Sequence, residues 1–228
     1  MPRISMLPTF FRELLSDREF PREPEPELVM QDEEQVASYS EAGRIDGIMS
    51  ASYLFHTARI TQLLQGKECS KVIDLGCGPA TQLAQIAELN PEIEFIGLDM
   101  SESMLESAKK YIDDLGLKNV SFIRTDICDL KDFKDKSVDG VISTMALHHL
   151  PTNNHLDVCF SEIKRVLKNE SALYLVDFGR LKKLKSVLFF AYLNRKYQPH
   201  LFSLDYERSL RAAFLPIDFI VLSKKYFY

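Results

Sequence analysis

The chain has 228 residues, 46% of them hydrophobic and 27% charged, with a net charge of −5. That length accommodates one domain with a sizeable core and a small lid, and the composition is that of an ordinary soluble protein. The acidic balance argues against a general nucleic-acid binder, which needs a basic face to displace counterions, but leaves room for a local basic patch.

Ile4 to Leu15 has the spacing of a short amphipathic helix, and Arg3, Arg12 and Glu13 break any apolar run long enough for a signal peptide. Residues 17–34 are rich in proline and acid and read as an exposed connector with little structure of its own, so residues 1–35 form a partly flexible N-terminal extension. From residue 36 to 64, Ile45, Ile48, Met49, Tyr53 and Leu54 recur at helical spacing, which predicts one or two helices.

Residues 70–178 alternate β-branched runs with helical patterns. Strands are expected at 71–75, 94–98, 120–125, 139–144 and 172–177, with helices at 81–89, 102–115 and 155–167. Ser101 is placed to cap the second of these helices. Strands alternating with helices imply a parallel sheet joined by right-handed crossovers. The fold class is therefore α/β, a doubly wound, mostly parallel, Rossmann-like sheet with N-terminal helices and a helical lid after the fifth strand. Residues 36–228 form the main domain, with its core at 58–178 and the lid at about 180–215. Within the lid, basic Arg180–Lys185 leads into a helix over Ser186–Tyr197, and a second helix covers 205–214. A last strand is expected over Ile217–Leu222, with any hairpin partner fitted into the few residues after Ser223. The most apolar segment, Val187 to Leu193, is too short to span a bilayer, although 180–197 has the pattern of a peripheral membrane contact. Cys69, Cys77, Cys128 and Cys159 form no CxxC pair, which gives no zinc knuckle or disulfide framework and suits reduced thiols in the cytoplasm.

Chemistry concentrates where the first strand, Val-Ile-Asp-Leu, meets Gly-Cys-Gly-Pro-Ala at residues 72–80. Gly76 and Gly78 permit a close backbone approach to a ligand at the carboxyl end of the sheet. Asp74, just inside that turn, would repel a dinucleotide pyrophosphate and favour the ammonium and sulfonium of S-adenosylmethionine. Asp99, ending the second strand, suits the hydroxyls of a ribose. Asp126 suits an adenine amine, Met100 and Ile127 the faces of the ring, and Ser143 lies in the fourth-strand end that would border the reactive methyl.

DLGCGPA, GLDMSESML, RTDI and ISTMALHHLP, in that order, resemble the successive motifs of class I S-adenosylmethionine-dependent methyltransferases, and most closely the small-molecule branch that includes quinone-biosynthesis enzymes. The resemblance covers about residues 58–178. It implies that Asp74, Gly76 and Gly78 hold the methionine end, Asp99 the ribose, and Met100, Asp126 and Ile127 the adenine, with S-adenosylhomocysteine as product. Two positions depart from the family: Ala80 stands where a third glycine is common, and Lys168-Asn169-Glu170-Ser171 replaces the usual lysine-proline-glycine-glycine turn.

Signatures of nucleic-acid amino methylation, cytosine C5 chemistry and arginine methylation are absent, and of the acids a metal site would need only Asp177 is near. The expected reaction is a metal-free methyl transfer to an O, N or C atom of a small molecule. His148 is the candidate proton acceptor, against a reading in which one member of the His148–His149 pair packs under the loop and the other is solvated. Tyr39 and Tyr53 stand between lining the acceptor chamber and packing in the core. A nicotinamide-dependent oxidoreductase and a non-catalytic donor-binding partner subunit are the alternatives; the first would need a phosphate-friendly turn.

Overall fold

The computed structural model describes residues 6–26, 32–66 and 69–228. Strands β1 (Lys71–Leu75), β2 (Glu94–Asp99), β3 (Val120–Arg124), β4 (Val138–Thr144) and β5 (Leu167–Val176) form one sheet in the order β3-β2-β1-β4-β5, every pair parallel. Both faces of such a sheet are covered, which is why its strands read as continuous apolar runs rather than alternating ones. Strand parity divides the core in two. Ile73, Leu75, Ile96, Leu98 and Val141 face helix α6 (Asn153–Val166) and the C-terminal helix α9 (Pro216–Phe227). Val72, Phe95 and Ile142 face helices α3 (Ser50–Gln65), α4 (Thr81–Leu89) and α5 (Glu102–Leu115).

Helices α4 and α5 occupy the residues the sequence assigns to them. Ser101 caps α5 by accepting from the Met104 amide at 3.1 Å, and Gly116 closes it in the left-handed conformation. Before the sheet come α1 (Leu7–Leu14) and α2 (Glu33–Gly43). Ile4 and Ser5 of the expected first helix, and residues 27–31 of the connector, lie outside the described residues.

Three expectations are corrected. The segment Lys168–Ser171 is built into β5, which starts at Leu167. Register jumps from Val138 opposite Leu167 to Gly140 opposite Ala172, and Glu170 takes a φ of 58°. The expected last strand is helix α9. Pro216 stands at its first position, Asp218 accepts from the Leu215 amide at 2.9 Å, and Phe219, Leu222, Tyr226 and Phe227 pack on the core at helical rather than alternating spacing. Among the described residues no strand pairs with the outer side of β5, which ends the sheet.

The third correction concerns the connector. Residues 17–26 carry no helix or strand, as expected, while Glu33 and Glu34 already belong to α2, and the irregular stretch is pinned to the domain. Arg22 donates through Nε to the Ala212 carbonyl (2.7 Å), through Nη1 to Pro151 (2.5 Å) and through Nη2 to His148 and Leu150 (3.0 and 2.5 Å). Its guanidinium lies 3.8 Å over the Phe214 ring. One side chain therefore ties the extension to the loop after β4 and to the lid, which consists of α7 (Leu184–Tyr192) packed on α8 (His200–Ala212) around Val187, Ala191 and Leu210.

Replacing Arg22 with alanine removes four charge-assisted hydrogen bonds and leaves their carbonyl acceptors beneath the loop. The expected outcome in a urea titration is a loss of about 2–4 kcal/mol of unfolding free energy, with Arg22→Lys recovering less than half because a point charge cannot reproduce the fork.

Candidate functional site

The carboxyl ends of β1, β2 and β4 open into a cleft of about 1020 Å³. It lies where the chain leaves β1 toward β2 on one side and β4 flanks it on the other, the usual ligand position in a doubly wound sheet. The floor is the glycine turn. Gly76 and Gly78 have φ of 71° and 52°, and the Gly76 and Cys77 amides both donate to the Leu98 carbonyl (2.8 and 3.0 Å). A Cβ on Gly76 would sit 2.4 Å from that of Ala146, so glycine here lets the turn and the loop after β4 approach each other. At Gly78 a Cβ would meet nothing nearer than Tyr39 at 3.9 Å, so the space above its backbone is open. Ala80, in place of a third glycine, adopts φ 58° at the start of α4 and is fully buried; the pocket stays open at the cost of a left-handed alanine.

Asp99 and Asp74 carry the charge. Asp99 accepts from the Gly78 amide through Oδ2 (2.9 Å) and from the Ser101 amide through Oδ1 (2.8 Å), leaving each oxygen a further lone pair. Burial pushes its carboxyl up, and the amides only partly offset this. Asp74 is buried, and desolvation together with the charge of Asp99 raises it to about 7. Among the described residues no cationic side chain pairs with it.

The cleft brings together seven of the expected positions: Asp74, Gly76, Gly78, Asp99, Met100, Asp126 and Ile127. Asp126 uses Oδ1 to accept from the Cys128 amide (2.8 Å), which fixes the loop after β3. Ser143 does not line it. The Ser143 side chain is fully buried and its hydroxyl donates to the Leu75 carbonyl at 2.8 Å; the cleft is lined instead by the next residues, Thr144, Met145 and Ala146. Thr81 and Gln82 also line it. Gln82 Oε1 bonds the Thr144 hydroxyl, while its buried Nε2 has no partner. Both follow the glycine turn directly, so their position was a usable sequence signal. Tyr39 of α2 and Tyr53 of α3 close the cleft from above, and burial raises both phenols.

A second chamber of about 890 Å³ adjoins the first and shares Tyr39, Met145 and His149 with it. Its walls are aromatic (Phe178, Phe190, Phe202, Tyr206), with Glu25 and Asp205 among them. His148 faces this chamber and is 2% exposed. Asp177 holds it twice, accepting from the His148 amide (2.8 Å) and contacting Nδ1 (2.7 Å), while Nε2 has no hydrogen-bond partner and lies 3.9 Å from Glu25 Oε1. His149 Nδ1 lies 3.1 Å from Glu25 Oε2. Burial pushes His149 down, but its hydrogen bond to Glu25 and the nearby acids prevail and hold it above its ordinary value. Burial pushes Glu25 up; His149, His148 and the Ser209 hydroxyl reverse this and hold it low. His148 is thus packed beneath the loop, while His149 keeps 37% of its side chain exposed and pairs with Glu25. Sequence reasoning missed Glu25, which comes from an irregular segment with no periodic signal, and the partnership of Asp177 with His148.

A family profile described as a methyltransferase domain matches residues 67–200, more than half of the chain. Demethylmenaquinone methyltransferase of Listeria welshimeri is 32% identical over 117 residues, 51% of this chain and 48% of that protein. Phosphoethanolamine N-methyltransferase 3 of Arabidopsis thaliana is 28% identical over 152 residues, 66% of this chain and 30% of that protein. The chain spans less than half the length of these named relatives. In structure it is similar to an S-adenosylmethionine-dependent methyltransferase from Aquifex aeolicus, with a TM-score of 0.61 at 18% identity, covering 87% of this chain and 89% of that one.

The buried Asp74 carboxyl gives a test that needs no ligand. Its folded value of about 7 lies above its unfolded value, so the folded state keeps a proton that the unfolded chain has lost, and stability falls as pH rises from about 4 to 7. Asp74→Asn is expected to unfold at a higher temperature than wild type at pH 8, with the difference shrinking as pH falls and disappearing below about pH 4. Equal midpoints at pH 8 would show that the carboxylate is compensated.

Proposed function

The chain belongs to the S-adenosylmethionine-dependent methyltransferases, and on that footing we propose that it transfers a methyl group to an O, N or C atom of a small-molecule acceptor held in the second chamber. The observation that carries this is the pair of adjoining cavities, one holding Asp74 and Asp99 and the other walled by aromatic rings, which meet at Tyr39, Met145 and His149. The residues present suit the donor. Asp74, without a cation of its own, would take the ammonium; the unpartnered Gln82 Nε2 would donate to the carboxylate. Asp99 keeps lone pairs for the ribose hydroxyls, Asp126 keeps one oxygen for the adenine amine, and Met100 and Ile127 would flank the ring. Gly76 and Gly78 keep the floor free of side chains.

When bound, the donor supplies an electrophilic methyl on a sulfonium. The chain then has to orient the acceptor, exclude water and receive a proton. Tyr39 stands on the boundary between the chambers, where a side chain can set the approach line to the methyl. His148 is the proton acceptor for an acceptor that must lose a proton. With Nδ1–H donated to Asp177, the Nε2 lone pair is directed into the second chamber. His149, paired with Glu25 and held above its ordinary value, is less suited to that role. No step in this reaction calls for a metal. Among the described residues Cys69, Cys77, Cys128 and Cys159 form no disulfide, which suits the cytoplasm.

Calorimetric titration with S-adenosylhomocysteine tests the donor assignment. Asp99→Ala is expected to weaken binding by about 1.5–3 kcal/mol, the scale of lost charge-assisted hydrogen bonds. Unchanged affinity would overturn the assignment. Because an ammonium requires the ionised form of Asp74, wild-type affinity is expected to rise from pH 5.5 to 7.5 with proton release, and Asp74→Asn to abolish that dependence.

A further inference from the structure

Helix α1 is amphipathic in the reverse sense from a helix packed on a core. Leu7, Phe10, Phe11 and Leu14 recur at i, i+3, i+4 and i+7, a single stripe, yet all four are exposed, Phe10 by 59%, and the following Leu15 by 76%. The polar side faces the protein. Thr9 is buried, Glu13 accepts from the Lys182 amide at 2.6 Å, and Lys182 Nζ donates to the Ser16 carbonyl at 2.8 Å. Leu184 and Leu188, one turn apart on the adjoining helix α7, are also exposed.

Charge decides what fits this surface. Arg12, Arg18 and Lys183 line one shallow groove beside Leu15, with Asp17 as its acid, and Lys185 lies nearby on α7. None of these four cations takes part in an ion pair among the described residues. The local sign is thus positive on a chain whose net charge is −5. A second copy of the chain docked through the same face would set cations against cations. Large apolar side chains flanked by basic ones are instead the pattern of a helix lying in a membrane interface.

We propose that the outward face of α1, extended by Leu184 and Leu188, is a docking surface for bilayers containing anionic phospholipid. The helix does not cross the bilayer: among the described residues no helix is long and apolar enough to do so. The same α7 that widens this face contributes Phe190 to the wall of the second chamber. The surface stands independently of the assignment of donor and acceptor.

Co-sedimentation of the full chain with vesicles tests it. Phosphatidylcholine vesicles with about one-third phosphatidylglycerol are expected to bind the protein at least fivefold more tightly than pure phosphatidylcholine. Phe10→Ser with Phe11→Ser should reduce that binding at least tenfold while leaving the unfolding midpoint unchanged, because both side chains are already in water. Lys183→Glu with Lys185→Glu should remove the preference for anionic lipid. Leu54→Ser with Phe55→Ser, an exposed apolar pair on α3, should leave binding intact. No binding to anionic vesicles, or equal loss from the α3 pair, overturns the proposal. A concentration-dependent dimer broken by the Phe10/Phe11 pair, without vesicle binding, overturns it in favour of a second copy.

Discussion

Two carboxylates, Asp74 buried and Asp99 half-buried, stand at neighbouring strand ends, and among the described residues no lysine or arginine pairs with either. That uncompensated charge is the constraint around which the rest of the site is arranged. Asp99 is tolerable because two backbone amides donate to it, that of Gly78, which the glycine turn folds back over the end of β2, and that of Ser101 just beyond the strand. Asp74 lacks even that support and rests near neutrality. A ligand that brings positive charge to this place relieves a desolvation penalty already present in the fold, whereas a pyrophosphate would add to it. The glycines make room for a ligand, and the acids decide its sign.

The second chamber depends on elements outside the sheet. The loop after β4 carries both histidines, and it is held by Arg22 from the extension and by Asp177 from the segment after β5. The tautomer of His148, the charge of His149 and the shape of the chamber therefore share two anchors. Neighbouring imidazoles with ring centroids 4.2 Å apart are driven to different states, one paired through Nδ1 with a buried acid and the other ion-paired with Glu25. The chain separates the two roles by choosing partners, not residue types.

Most of the fold was legible because its signals are local. Strand parity, the Ser101 cap and the helical stripes of α4 to α6 act over a few residues, and the elements appear where those patterns place them. The error at Ile217–Leu222 has the same origin. A short apolar run fits either period, and what selects helix α9 is Pro216, the Asp218 cap and a face of the core left open above α6. Ser143 was misplaced by one residue because adjacent residues at a strand end point to opposite sides, and Thr144 has the orientation that faces the cleft.

By itself the sequence determined the order of strands and helices from β1 to β5, the glycine turn and the acids at the ends of β1 and β2, since each follows from contacts within a short stretch of chain. Only the tertiary structure decided that Glu25 and Arg22, from an irregular segment, complete the surroundings of His148 and His149, that Asp177 fixes a histidine, and that the apolar stripe of α1 faces outward. Those features depend on which distant surfaces meet, and no periodicity along the chain encodes the partner of a side chain that the fold brings in from elsewhere.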